Sequence, residues 1–344
     1  MATFWASIFV FGILIFFHEL GHFTVAKAVG IKVYEFSMGF GPKLLGLSRG
    51  GTNYNLRLLP LGGFVRMAGM DPEEEDVEAG KGFGDKTILQ RVAVIMAGPL
   101  MNFLLAALLL ALIFMLQGLP TPGTTIGDIV PGQPAEKAGL KPGDVIYSID
   151  GRKVDSKEEI TRLVSARTGQ PTTLVVIRDG REMAFEITPA AAEGGRGMIG
   201  IYWVKKLNPL AALISGFEYT FRVTVLILQF IGKMVAGQAP ADLGGPVRVI
   251  WEIDKAVQTG FFYLLQLAAF LSINLGLFNL FPIPALDGSR IMFLGFEGFR
   301  GRPVDPTKEN LIHLVGFGFL LLLIVFITYN DILQLFVQSP QSSP

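Results

Sequence analysis

The stretch FFHELGHF, residues 16–23, sets two histidines and a glutamate inside a run that is otherwise apolar. The apolar residues before it, 4–17, number fourteen, whereas a helix needs about twenty to cross a bilayer. A crossing helix therefore has to contain the motif, and residues 4–28 are read as the first span. At about 1.5 Å per residue, His18 lies about 21 Å from Phe4, inside a hydrocarbon layer about 30 Å thick. Ionisable groups at that depth are costly and mark a functional site. His18 and His22, four apart, project from one helical face and can grip a single ion. In the pattern H-E-x-x-H the glutamate, here Glu19, is a general base that takes a proton from metal-activated water. Gly21 offers a small surface against which another backbone can pack.

A catalytic metal site needs three protein ligands and an open position. The chain has no cysteine, which removes disulfides, thiolate zinc sites and cysteine nucleophiles and leaves His, Asp and Glu as donors. The third histidine, His313, starts a later apolar run and reads as an interfacial residue. Asp287 is the better candidate. The apolar segment 261–281 runs into FPIPALDG, where Pro282 and Pro284 cannot continue a helix. Unwound backbone lining a cavity would hold Asp287 at the level of the two histidines. The plainer alternative is a helix end followed by an Asp-Gly turn.

With 51% hydrophobic residues, 17% charged and a mean hydropathy of +0.49, the 344-residue chain reads as an integral membrane protein. Twenty-nine basic residues balance twenty-nine acidic ones, so no electrostatic footprint for nucleic acid exists. Spans are predicted at about 4–28, 92–117, 261–281 and 311–335. Segment 209–236 is also apolar, but Glu218, Arg222, Gln229 and Lys233 share one face opposite Leu210, Leu213, Phe217, Phe221 and Leu228. It reads as a helix lying at the interface. AKA at residues 26–28 looks like a signal-peptide cleavage site, yet no Lys or Arg precedes Phe4 and the apolar core contains the motif, so cleavage is not expected.

Residues 31–90 hold alternating patches such as NYNLRL and the turn pair Gly62-Gly63, predicting short strands. The acidic run DPEEED, residues 71–76, reads as a solvated loop. From 121 to 190 the composition is that of a water-soluble domain. TTIGDIV and DVIYSI predict strands, Asp150-Gly151 a turn, and Ser156 with Glu159 a capping box for a helix ending near Gly169. TTLVVIR and REMAFEIT alternate around Asp179-Gly180, a two-residue hairpin signal. Lys27, Lys32, Lys43, Arg49, Arg57 and Arg66 follow the first span; Arg290, Arg300, Arg302 and Lys308 lie between the third and fourth. Both loops are expected in the cytoplasm, with both termini and the soluble domain outside. That arrangement is consistent with four spans and fails with five.

With PAEKAGLKPGDVIYSIDG included, the 121–190 segment resembles a bacterial PDZ domain over about seventy residues. HELGH in the first span, NLFPIPALDG at the end of the third and this PDZ-like domain between resemble the site-2 protease family of intramembrane zinc metalloproteases. The arrangement is similar to its bacterial branch, the regulator-of-sigma-E proteases, with AGPLMN from Ala97 and LGGPV from Leu243 as further family-like stretches. The fold expected is a polytopic α-helical membrane protein with four transmembrane helices, an inserted extracytoplasmic PDZ-like α+β domain and short membrane-associated β strands. Its parts are a membrane domain from 1–120 and 257–344, the PDZ-like domain at 121–190, and a linker with the interfacial helix at 191–256.

The resemblance implies zinc held by His18, His22 and Asp287, with Glu19 activating water and Asn279 and Pro282 placing substrate. It implies a protease of the bacterial inner membrane acting in regulated intramembrane proteolysis. Its substrates would be single-pass membrane proteins already shortened by another protease, such as anti-sigma factors, or remnant signal peptides. A substrate helix must unwind before its carbonyl reaches a metal, and the strands at 52–67 are a candidate edge to hold it, or else a cover over the cytoplasmic mouth. The alternative from another class is a non-proteolytic PDZ-bearing membrane scaffold or metal carrier.

Overall fold

Helix α1 (Ala2–Ala28) carries the H-E-x-x-H motif in its second half, and the hairpin β1 (Val33–Arg49) and β2 (Thr52–Met67) separates it from α2 (Ile88–Gln117). The computed structural model describes residues 1–70, 77–120, 123–192, 195–240 and 244–338; the acidic run 71–76 lies outside them. Then come β3 (Leu119–Pro120), β4 (Ile126–Ile129), α3 (Pro134–Lys137), β5 (Val145–Ile149), β6 (Arg152–Lys153) and α4 (Lys157–Ser165). After these follow β7 (Thr172–Arg178), β8 (Arg181–Ile187), β9 (Ala190–Ala191), β10 (Gly197–Met198), β11 (Ile201–Trp203) and β12 (Lys205–Lys206). Five helices close the chain: α5 (Pro209–Val235), α6 (Pro246–Thr259), α7 (Phe261–Asn279), α8 (Asp287–Arg300) and α9 (Pro306–Gln338). These elements form two compact units, Met1–Ile113 with Leu213–Pro344, and Phe114–Ala212.

In the first unit α1 and α2 meet backbone to backbone. A Cβ at Gly21 would fall 2.2 Å from the Ala97 carbonyl oxygen, and one at Gly98 would fall 2.3 Å from His22 Nε2. Such close approach, open only to glycine, lets apolar helices pack where lipid removes the hydrophobic drive. His22 facing Val94 and His18 facing Asn102 make the pair antiparallel. On the other side of α2, Ser272 donates to the Asn102 carbonyl at 2.8 Å and Gly276 fits over Pro99, so α7 is also antiparallel to α2. Helices α1 and α7 therefore run in the same direction.

The expected short strands are segments of one hairpin, paired from Val33↔Met67 to Arg49↔Thr52, that folds back on itself, so that residues 35–38 pair with 63–66 on one side and with 53–56 on the other. The hairpin turn is Gly50-Gly51, both at positive φ, and Gly62-Gly63 follow the stretch in which β2 reverses between its two pairings with residues 35–38. Gly62 sits within β2 at φ 115, a conformation that L side chains avoid, and its missing Cβ makes room for the Phe40 ring. Ala26, Ile31, Val33, Met67 and Val94 seal the base of the ribbon to α1 and α2.

Among the described residues, α1, α2, α5, α7 and residues Thr307–Gln334 of α9 are by length and composition each able to cross a membrane, five helices where the sequence reading took four. The difference is the segment at 209–236, which is one continuous helix with Gly216 set against the Ala107 carbonyl of α2.

The second unit has a sheet ordered β6-β5-β7-β8 over α4, and β4 pairs with β11. The local signals act as read. Ser156 Oγ accepts the Glu159 N–H at 3.2 Å, and Asp150-Gly151 and Asp179-Gly180 take positive φ. Helix α4 stops at Ser165, a turn short of Gly169. Its core joins Ile126, Ile146, Ile149, Ile160, Leu174 and Val176. Because β11 pairs with β4, the unit extends to Ala212, past the expected limit at 190.

Candidate metal centre

Antiparallel packing of α1 on α2 fixes both histidines. His22 Nδ1 donates to the Val94 carbonyl at 2.9 Å, which leaves the Nε2 lone pair free. The Asn102 amide stands 3.0 Å from His18 Nδ1, and its Oδ1 is fully buried without a hydrogen-bond partner. Turned so that Oδ1 accepts from Nδ1–H, the amide satisfies that oxygen and frees His18 Nε2 in the same way.

Asp287 arrives from the break in the third apolar segment. Helix α7 ends at Asn279, and Asp287 is the first residue of α8, not part of an Asp-Gly turn. Gly288 explains the dipeptide. A Cβ there would lie 2.2 Å from the Phe281 oxygen and 2.4 Å from that of Leu280, so only glycine lets α8 start against the end of α7.

The outcome is a triangle of ligand atoms. His18 Nε2 and His22 Nε2 are 3.2 Å apart, and Asp287 Oδ2 is 3.2 Å from the first and 3.3 Å from the second. Tetrahedral zinc with bonds of about 2.0–2.1 Å has ligand atoms about 3.3–3.4 Å apart, so the three atoms fit three of its corners. Asp287 Oδ2 is buried without a hydrogen-bond partner, so three lone pairs converge on one point, an arrangement that a cation relieves. Among the described residues this is the one cluster of three such donors close enough to share an ion.

Glu19 lines the same cavity of about 610 Å³, as do Arg290, His313 and Gly63, Phe64, Val65 and Met67 of β2. The Glu19 stem lies against Gly63, where a Cβ would come within 3.0 Å of its Cγ. Asn279 and Pro282 are not among the lining residues; Pro282 is exposed. His313 differs from its reading as an interfacial residue, since it lines the cavity and its Nδ1 accepts the Ala285 N–H at 3.0 Å. Sequence reasoning also missed Asn102, whose one signal was an amide inside the apolar run 92–117.

Gly98→Ala tests how tightly this packing sets the site. Its Cβ would overlap His22 Nε2, so the ring must leave its place while Val94 still holds its other nitrogen. We expect zinc affinity to fall about tenfold or more. Stability should fall by about 1–3 kcal/mol, as other overpacked substitutions do. Chelator competition and thermal unfolding of the solubilised chain measure the two.

The sequence pattern of peptidase family M50 matches residues 6–323. The chain is 35% identical to the zinc metalloprotease RasP of Geobacillus kaustophilus, over 96% of this chain and 97% of that one. It is 35% identical to the regulator of sigma-W protease RasP of Bacillus subtilis, over 96% and 98%, and 34% identical to the probable protease eep of Enterococcus faecalis, over 98% and 100%. Among solved structures, the PDZ domain of an SdrC-like protein from Listeria monocytogenes aligns over 25% of this chain and 92% of its own, with 22% identity and a TM-score of 0.23.

Proposed function

Because this chain belongs to peptidase family M50, we propose that the cavity around His18, His22 and Asp287 is the active site of a zinc endopeptidase that cuts peptide bonds within the membrane. The protein is a membrane zinc metalloprotease. The observation that carries the assignment of residues is the triangle of two imidazole nitrogens and a carboxylate oxygen, with Glu19 in the same cavity.

His18, His22 and Asp287 hold the ion in this reading. When bound, zinc lowers the pKa of water at its open position to about 7 and polarises the scissile carbonyl. Glu19 takes a proton from the attacking water as its oxygen bonds to the carbonyl carbon. It then delivers that proton to the departing nitrogen as the C–N bond breaks.

The substrate is a transmembrane segment of another protein, shortened beforehand by a different protease and unwound at the cut. The free edge of β2, at Gly63–Val65, is where an unwound stretch would pair by its backbone. Asn279 ends α7 and Pro282 lies in the break that delivers Asp287, and both would meet substrate on its way in. A metal carrier is less well supported, because it would repeat ligands along several spans and the described residues hold one such cluster.

Four crossings fit this site better than five. Helices α1 and α7 run in the same direction, so the chain enters α7 from the side on which α2 ends. A crossing by α5 would reverse that, which supports α5 lying along the interface. Helix α6 belongs to the same end, since Asp254 meets Thr3 at the start of α1 and Asp331 near the end of α9 accepts the Gly245 and Arg248 N–H groups. The basic loops after α1 and around α8 then lie in the cytoplasm of a bacterial cell, and the termini and the PDZ-like unit lie outside.

Removing the metal tests the reading. Incubation of the purified chain with a zinc chelator should abolish cleavage of a reconstituted transmembrane substrate, and added zinc should restore it. Cleavage that continues at the original rate in the zinc-free protein would overturn the assignment.

A further inference from the structure

We propose that His313 is a positioning residue, which sets Asp287 for the metal by holding the backbone of Ala285. The proposal rests on the zinc reading above. Of residues 282–286, Pro282 and Pro284 have no N–H, and those of Ile283 and Leu286 bond within the break, to Phe281 and Ile283 oxygens at 2.7 and 3.1 Å. The Ala285 N–H is the one that reaches another helix, donating to His313 Nδ1 at 3.0 Å.

That single tether acts at a strained point. Ala285 has φ 75, in the left-handed region that a residue with a Cβ seldom adopts, and its own side chain is exposed and holds nothing in place. Asp287 follows two residues later, so relaxation at Ala285 would swing its carboxylate out of the 3.2–3.3 Å triangle. The partner helix is fitted to the break. A Cβ at Gly316, nearly one turn beyond His313 on α9, would lie 2.2 Å from the Pro284 Cβ, so α9 and the break touch without an intervening side chain. The His313 ring is held edge-on by Phe293 of α8 at 5.8 Å. With Nδ1 accepting, its proton sits on Nε2, buried without a hydrogen-bond partner and 3.7 Å from Glu309 Oε1 one turn earlier.

Two substitutions separate this role from simple packing. His313→Phe keeps a ring beside Phe293 but offers no acceptor, while His313→Asn keeps an acceptor near the place of Nδ1. Zinc dissociation constants of the full-length solubilised chain, by chelator competition, should rise about 10–100-fold for Phe and stay within about threefold of wild type for Asn. The visible bands of the cobalt-loaded Phe variant should move towards those of Asp287→Ala. Should the Phe variant fail to fold, His313→Met fills similar space without the acceptor and carries the same expectation. Wild-type affinity in Phe or Met, or a loss in Asn as large as in Phe, overturns the proposal. Wild-type affinity in Asp287→Ala would instead overturn the ligand assignment on which it rests.

Discussion

Glu19→Gln should leave one zinc bound per chain and lower peptide hydrolysis by about a thousandfold or more. Glutamine matches the shape of glutamate but cannot accept the proton of the attacking water, and a positioned general base contributes about 10²–10⁴ in rate. Zinc should stay because Glu19 is no corner of the triangle of His18, His22 and Asp287 atoms. Its stem leans instead on Gly63 of β2, inside the same cavity. Zinc content and single-turnover cleavage of a reconstituted transmembrane segment, measured together, separate binding from chemistry. A variant that cleaves within tenfold of the wild-type rate would show that another group moves the proton.

Asp287→Ala should have the opposite signature, losing the metal and with it all activity. Two imidazoles would remain where a catalytic site needs three protein ligands, so affinity should fall by more than the roughly 10–100-fold typical of supporting residues. The fold should survive, because α8 begins against the end of α7 through Gly288 and needs no carboxylate to do so. Zinc analysis after dialysis against a chelator measures the loss, and helical content controls for unfolding. Stoichiometric zinc in this variant would move the third ligand elsewhere, with His313 the remaining histidine of the chain.

Much of the site was legible because its signals are local. The spacing of His18 and His22 is a property of one helix, and the Pro282–Pro284 break is a property of proline itself. Asp287 could be named as a candidate, but its arrival depends on Gly288 closing α8 onto α7. Gly62-Gly63 marks where β2 folds back and not the hairpin turn itself, for a related reason. Glycine marks any place where a Cβ is unwelcome, and the bulge that receives Phe40 uses it as readily as the real turn at Gly50-Gly51 does. His313 looked interfacial because its partner, the Ala285 N–H, lies 28 residues away and leaves no periodic trace.

From the amino acids alone came the membrane class, the placing of the motif inside an apolar helix and the chemistry of its donors, since hydropathy, helix pitch and ligand type act within a few residues. Tertiary packing decided how those donors meet. Gly21 and Gly98 bring α1 against α2, Asn102 and Val94 orient the imidazoles, and α9 steadies the segment that carries the carboxylate. Each of these depends on groups far apart in the chain touching within about 3 Å, a distance at which hydrogen-bond geometry, not residue type, determines what an atom can bind.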